Sequence, residues 1–349
     1  MEIRKAQRAG YSTLIVSLPI KWVKEVGLKP GDALALSEEQ DGSLRVIPQL
    51  GLRTKGESVS IVNADLCIEK QLLTKLIVGE YIVGHETIHV SSKRPLRPEQ
   101  LEEIRNATSK LIGIDVVEQT LNRVILQSLV DPMKFPIYTS LRRIHAIIIA
   151  IFDAILQAIS EKEIKYLKEV SNMENDVDRL YRLTVRQLML AARDREIMKH
   201  VGIETPLNIV GNRVVAKALE EIADSTERIA IDTLSPIIDQ NLDAAMLKKI
   251  SPLFSLTKSV AESALDSFFR KDVRAGSKAL IAADDAIKEC NEVSVLISKI
   301  ENVELAISMS ALVWNLVQAI RQYKIIAEIT INNGLEDSTE ISSIVAKEE

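Results

Sequence analysis

Two acidic pairs with the same spacing stand in the second half of this 349-residue sequence. Glu174 and Asp178 lie in MENDVDRLYRL, and Glu220 and Asp224 lie in AKALEEIADSTERIA. Carboxylates four residues apart stand on one helix face, one turn above the other. Like charges in that arrangement oppose the helix by roughly 0.2–0.5 kcal/mol. Stacked oxygen donors are also what a hard or borderline cation takes from a helix bundle. A plainer reading stands beside this one. Arg182 follows Asp178, and Arg228 follows Asp224, at the same four-residue spacing. Each acidic pair therefore also fits a salt-bridged, solvated face.

A second group is cationic. Residues 1–30 carry Arg4, Lys5, Arg8, Lys21, Lys24 and Lys29 against Glu2 and Glu25, a balance of +4 within a chain of net charge −5. Lys and Arg contacts to phosphates supply most non-specific DNA affinity, so this short stretch is the candidate DNA-facing surface. No pattern for covalent or hydrolytic chemistry accompanies these groups. The sequence has no phosphate-cradling Gly-rich loop, no G-x-S-x-G and no H-E-x-x-H. His145 and His200 have no nucleophile at motif spacing, and His145 in RRIHAIII reads as a helix residue bordering the core. His85 and His89 span a loop and a strand, so their spacing does not make a helical metal pair. No enzymatic activity is expected.

The elements that must position these groups follow from composition and periodicity. Hydrophobic residues make up 46% of the chain and aromatics 4%, a balance typical of helical packing. Nine of the 13 glycines fall at or before Gly113, so the first 130 residues read as mixed α and β and the rest as helical. Residues 11–18 alternate as a strand. Pro19 opens a short helix over 20–26 that Gly27 ends, and strands follow over 33–37 and 44–47 around an Asp41-Gly42 turn. Residues 50–131 read β-α-β-α-β-β: strands over 57–62, 87–91, 114–119 and 124–129, and helices over 64–82 and 99–111. That order suggests a ferredoxin-like or ACT-like connecting domain. Six helices are expected beyond it, over 137–159, 162–193, 206–234, 242–271, 272–300 and 303–332, with a kink or break at Ser251-Pro252. Two antiparallel three-helix bundles are the economical arrangement. The tail from Gly334 reads as disordered.

Cys67 and Cys290 are isolated, which fits a reducing compartment. The N-terminus MEIRKAQRAGYS lacks an apolar signal region, and a cytoplasmic protein is expected. The longest apolar run of the helical half, 146–152, stops at Asp153, short of the ~18–20 residues a membrane span needs.

The stretch RKAQRAGYSTLIVSLPIKWVKEVGLKPGDALALSEEQDGSLRVIP resembles the AbrB/MazE/SpoVT swapped-hairpin family, over almost all of residues 3–48. It has the basic first strand, the helix start after Leu-Pro, the L-G-L-x-x-G-D segment and the D-G hairpin. The resemblance implies a domain-swapped dimer that presents basic residues, here Arg4, Lys5, Arg8 and Lys21, to DNA. Residues 137–333 resemble the PhoU family of phosphate-uptake regulators, in the archaeal-type pairing with an AbrB-like head. Glu174-Asn-Asp-Val-Asp178 matches the family's second-helix motif, and Leu219-Glu220-Glu221-Ile-Ala-Asp224 matches its third-helix motif. Glu221 and Ser225 stand where arginine and histidine are usual. In the second repeat, Asp285 and Glu289 occupy the right helix in reversed order, while Val317 and Arg321 stand where two acids should be, so that half is expected to hold no metal. The resemblance implies metal, iron or zinc, at Glu174, Asp178, Glu220 and Asp224.

The expected protein is multidomain and mainly α. It divides into a swapped-hairpin head (1–49), a small α/β connecting domain (50–131), two PhoU repeats (133–235 and 236–333) and a tail (334–349). Two functions follow. One is a DNA-binding transcriptional regulator of phosphate uptake, a homodimer or higher even oligomer, acting on operators of phosphate-transport genes. The other is an adaptor that docks on the ATPase of the phosphate ABC transporter and represses it, with the head serving only as a dimeriser.

Overall fold

The computed structural model describes residues 2–38, 42–48, 58–239, 244–336 and 341–342. The chain forms two compact units, residues 1–58 and 59–349.

In the first unit β1 (Gln7–Ala9) and β2 (Thr13–Ile15) pair antiparallel, so the single strand expected over 11–18 is two short ones. Helix α1 (Ile20–Glu25) starts after Pro19 and ends where Gly27 takes φ +68°, a left-handed conformation that glycine adopts without Cβ strain. Strands β3 (Leu34–Glu38) and β4 (Leu44–Pro48) form a second antiparallel pair, Leu36 opposite Val46. Asp41 of the expected turn lies outside the described residues. No described residue of this unit is buried, and Leu14 (71%), Leu36 (62%) and Leu44 (55%) stand largely in solvent. The unit has the backbone pairing of a fold without an apolar interior of its own.

The second unit begins with an α/β layer: β5 (Val59–Asn63), α2 (Leu72–Val83), β6 (Thr87–Ser91), α3 (Pro98–Ser109), β7 (Ile114–Gln119) and β8 (Arg123–Ser128). The sheet order is β5-β6-β8-β7, with β5 parallel to β6 and β8 antiparallel to both neighbours. This corrects the ferredoxin-like expectation. The first βαβ crossover joins adjacent strands, and β8 inserts between β6 and β7 as the return arm of a hairpin. The helix expected over 64–82 is also divided. A 3₁₀ turn, Ala64–Leu66, is followed by Gln71 at φ +65°, and α2 starts only at Leu72.

The helical part comprises α4 (Ile137–Glu161), α5 (Val170–Ala191), α6 (Arg195–His200), α7 (Pro206–Arg228), α8 (Ser235–Asp239), α9 (Ala244–Arg270), α10 (Val273–Ile297) and α11 (Val303–Gly334). The six long helices are those expected, and they share one continuous core. Several boundaries differ. Lys162 at φ +56° delays α5, whose expected first residues form a 3₁₀ turn. The expected end of α7 is a π-helical stretch, Ile229–Leu234. Helix α9 runs through Pro252 without a break. The carbonyl that Pro252 leaves without a donor belongs to the exposed residue Lys248, on the solvated side. The tail is anchored at its start. Helix α11 extends through Gly334, and the Glu336 carboxylate accepts from Asn208 Nδ2 at 2.6 Å and Thr205 Oγ1 at 3.1 Å; residues 337–340 and 343–349 lie outside the described residues. Helices α4 and α11 are each long and apolar enough to cross a membrane, which the uninterrupted-run criterion missed. Both bury an apolar face in the shared core, α4 through Leu141, Ile144, Ile148 and Ile155 and α11 through Leu312, Leu316, Ile320 and Tyr323.

The α/β layer docks on α5 through two arginines spaced one turn apart. Arg186, 4% exposed, donates Nη1 to the carbonyls of Tyr81 and His85 at the end of α2. Arg182 donates Nη1 to the Lys110 carbonyl, which ends α3, at 3.3 Å. A Cβ at Gly84 would meet Leu190 Cδ2 at 2.7 Å, and its φ of +109° excludes other residues on backbone grounds as well.

Candidate metal centre and cationic head

Helices α5 and α7 pack side by side, which brings the two acidic pairs to one place. One ligand oxygen from each of Glu174, Asp178 and Asp224 lies within 4.8 Å of the others, and the same holds for Glu220, Glu221 and Asp224. The four expected residues therefore form a single cluster across the helix interface, with Asp224 common to both groups. Glu221, which reads in the sequence as a departure from the motif, is its fifth member. Its signal was the i, i+1, i+4 run of Glu220, Glu221 and Asp224.

The salt-bridged alternative is present in the same cluster. Asp178 pairs with Arg182, and Asp224 with Arg228 at 3.1 Å. Lys217 reaches both Glu220 and Glu221, the latter at 2.7 Å. Five carboxylates thus face three cations, and negative charge remains. Glu174 is the acid without a counter-ion. It makes no ion pair among the described residues, and burial, then Asp178, Glu227 and Asp224, push its carboxyl up to about 7. Burial likewise raises Glu220 against the pull of Lys217, and raises Asp224 against the pull of Arg228. Burial weakens the Lys217 ammonium, but its hydrogen bonds to Glu220 and Glu221 outweigh that and keep it firmly charged.

This all-oxygen set, half-buried and short of counter-charge, fits a hard or borderline divalent cation. Such an ion would supply the missing positive charge and cross-link α5 to α7. The second repeat has no counterpart among the described residues. Val317 is 6% exposed within the core, Arg321 lies over the Trp314 ring, and Asp284 and Asp285 pair with Lys324 and Lys288. His85 Nε2 lies 3.2 Å from Glu80 Oε2, and His85 belongs to no acidic cluster. His145 is held neutral, its pKa lowered to about 4 by burial and then by Arg142. Cys67 and Cys290 are both buried free thiols.

In the first unit Arg4, Lys5, Arg8 and Lys21 are all exposed. Among the described residues Arg4 pairs with nearby Glu2, and Arg8 donates to the Tyr11 carbonyl at 3.2 Å. Both partners are local, so each guanidinium is free to turn to another anion.

Residues 141–233 match the PhoU domain family, and residues 7–51 match the family described as antidote-toxin recognition MazE, bacterial antitoxin. The chain therefore joins a PhoU-like regulatory domain to a MazE/AbrB-like N-terminal domain, and both acidic pairs fall within the PhoU match. Among solved structures it is similar to PhoU from Pseudomonas aeruginosa, at 14% identity and TM-score 0.45 over 57% of this chain and 91% of that one. It is also similar to the phosphate transport system regulatory protein PhoU from Streptococcus pneumoniae, at 12% identity and TM-score 0.46 over 58% and 96%. No curated protein matches the sequence.

Proposed function

We propose that this chain is a transcriptional regulator of phosphate uptake. In this reading the first unit pairs with a second copy and presents Arg4, Lys5, Arg8 and Lys21 to operator DNA, while the helical part provides the sensing half. The carrying observation is the state of the first unit. Its MazE-like segment buries none of its described residues, yet exposes Leu14, Leu36 and Leu44 beside a cationic surface. A second copy covers the apolar side chains and doubles the cations on one surface.

Promoter DNA of phosphate-transport genes tests this by fluorescence anisotropy over a salt series. Affinity should fall with log[salt] at a slope of about −0.9 per phosphate neutralised. Lys5→Ala and Arg8→Ala should each weaken binding and flatten the slope by about one unit while the dimer persists. Glu174→Gln should leave the slope unchanged. A Lys5→Ala/Arg8→Ala double variant that binds like the parent refutes the reading, and an adaptor acting on the phosphate transporter's ATPase then takes its place.

The metal reading belongs to the same proposal. Glu174, Asp178, Glu220 and Asp224 hold iron, zinc or another divalent ion, with Glu221 beside them. The support for it is the excess of carboxylates over cations in the cluster, with Glu174 unpaired among the described residues. Elemental analysis should find metal in the parent and a loss in Glu220→Gln/Asp224→Asn. Equal content in both, or none in the parent, would reduce the cluster to a salt-bridged face.

A further inference from the structure

A cleft of about 330 Å³ opens in the α/β layer, lined by Asp65, Ile68, Ser92, Arg94, Arg97 and Gln100 among others. It lies outside the carboxyl ends of β5 and β6, whose last residues, Asn63 and Ser91, are paired in parallel register. The loop that forms one wall is fixed on both sides. Ser92 N–H donates to the Asn122 carbonyl at 2.9 Å and Leu96 N–H to the Leu121 carbonyl at 2.8 Å. Gln100, 6% exposed, ties the floor by donating Nε2 to the Ala64 carbonyl at 2.8 Å and accepting Arg97 N–H at 3.1 Å.

The charges in this rigid cleft are unbalanced. Asp65, its one lining acid, already accepts from Ser92 Oγ and Lys93 N–H, each at 2.8 Å. Arg94 acts on Asp65 through space, but neither lining guanidinium, Arg94 or Arg97, makes an ion pair among the described residues. The N-terminus of the 12-residue helix α3 begins at the same place and adds its partial positive charge, offset in part by Glu99 in its first turn. Ile68 and Pro95 supply apolar wall, and the volume is that of a small-ligand pocket rather than of a site for a bare ion. Arginine's planar fork matches the geometry of carboxylate and phosphate groups.

We propose that this cleft binds a small organic molecule carrying at least one phosphate or carboxylate group, which gives the α/β layer a ligand site of its own beside the sensing helical half. The site is separate from the acidic cluster and needs no metal.

The test is isothermal titration of the full chain, in chelator and at constant ionic strength, with glycerol 3-phosphate, citrate and inorganic phosphate as probes. Saturable binding of glycerol 3-phosphate or citrate is expected, with inorganic phosphate weaker because it leaves the apolar wall empty. Arg94→Gln/Arg97→Gln should weaken that binding tenfold or more. Lys110→Gln, in the cleft between α3 and α5, should not change it. Both arginines are exposed, and an unchanged circular dichroism spectrum checks that the variant is folded. Organophosphate binding and carboxylate binding distinguish the two ligand sources. Failure of both organic probes to saturate at millimolar concentration overturns the proposal. So does a double variant that binds within twofold of the parent, or inorganic phosphate binding as well as the organic probes.

Discussion

Replacing Glu174 by glutamine should stabilise the protein at pH 8 and do little near pH 5. Removing a half-buried side chain's charge usually weakens a fold, but here the carboxylate is the uncompensated member of its cluster. Its carboxyl rises from 4.5 to about 7, chiefly through burial and then through Asp178. The folded state therefore holds the proton more tightly than the unfolded chain does. The associated stability is fully present below pH 4.5 and is lost as pH rises through about 7. At about 1.4 kcal/mol per pH unit the shift corresponds to roughly 3 kcal/mol. Glu174 is only half-buried, and solvent screening reduces this to about 1–2 kcal/mol. Glu174→Gln removes that penalty. Urea unfolding in chelator should show a gain of about 1–2 kcal/mol at pH 8, falling to roughly a few tenths near pH 5. In thermal unfolding the pH 8 gain amounts to roughly 2–4 °C for a unit of this size. A variant less stable than the parent at pH 8, or a gain equal at both pH values, would refute the charge argument. Excess Mn²⁺ should erase the difference, because a bound cation supplies the counter-charge that Glu174 lacks.

Arg186→Leu should destabilise, because the His85 carbonyl loses its donor at about 1–3 kcal/mol and the Tyr81 carbonyl keeps the Gly84 N–H alone. Hydrogen exchange should show the loss in α2 and α3 first, and unchanged protection there would contradict the docking role of Arg186. The full chain should sediment as a dimer at micromolar concentration and the chain lacking residues 1–49 as a monomer; a monomeric full chain would show that the first unit closes without a partner.

Much of the helical half was legible because apolar residues recur there at threes and fours, as in Ile144, Ile148, Ile151 and Ile155, all fully buried on α4. The acidic pairs were legible within each helix for the same reason. That they face each other was not, since it depends on how α5 packs on α7, and no local spacing encodes that. Glu221 was missed because a motif comparison registers it as a mismatch rather than as another oxygen donor. The helix over 64–82 failed through tertiary contacts. Asp65 bonds Ser92 and Lys93, 27 and 28 residues away, and those bonds hold Ala64–Leu66 out of α2. Pro252 misled in the opposite direction, since one exposed carbonyl without a donor did not end α9. The sheet order was beyond reach because β-α-β-α-β-β is compatible with several strand insertions.

The two arginines of α5 bear on whether the PhoU-like bundle is a portable module. Along one helix, Asp178 and Glu174 address α7, while Arg182 and Arg186 address the carbonyls that end α3 and α2. The family match begins at residue 141, after the α/β layer, yet it contains both docking arginines. A bundle excised at that boundary would keep a guanidinium buried for an interface it had lost, next to Leu190, whose packing partner Gly84 is also gone. Transplanting this bundle into another protein, or shuffling it in evolution, would require either bringing the layer with it or rewriting Arg186.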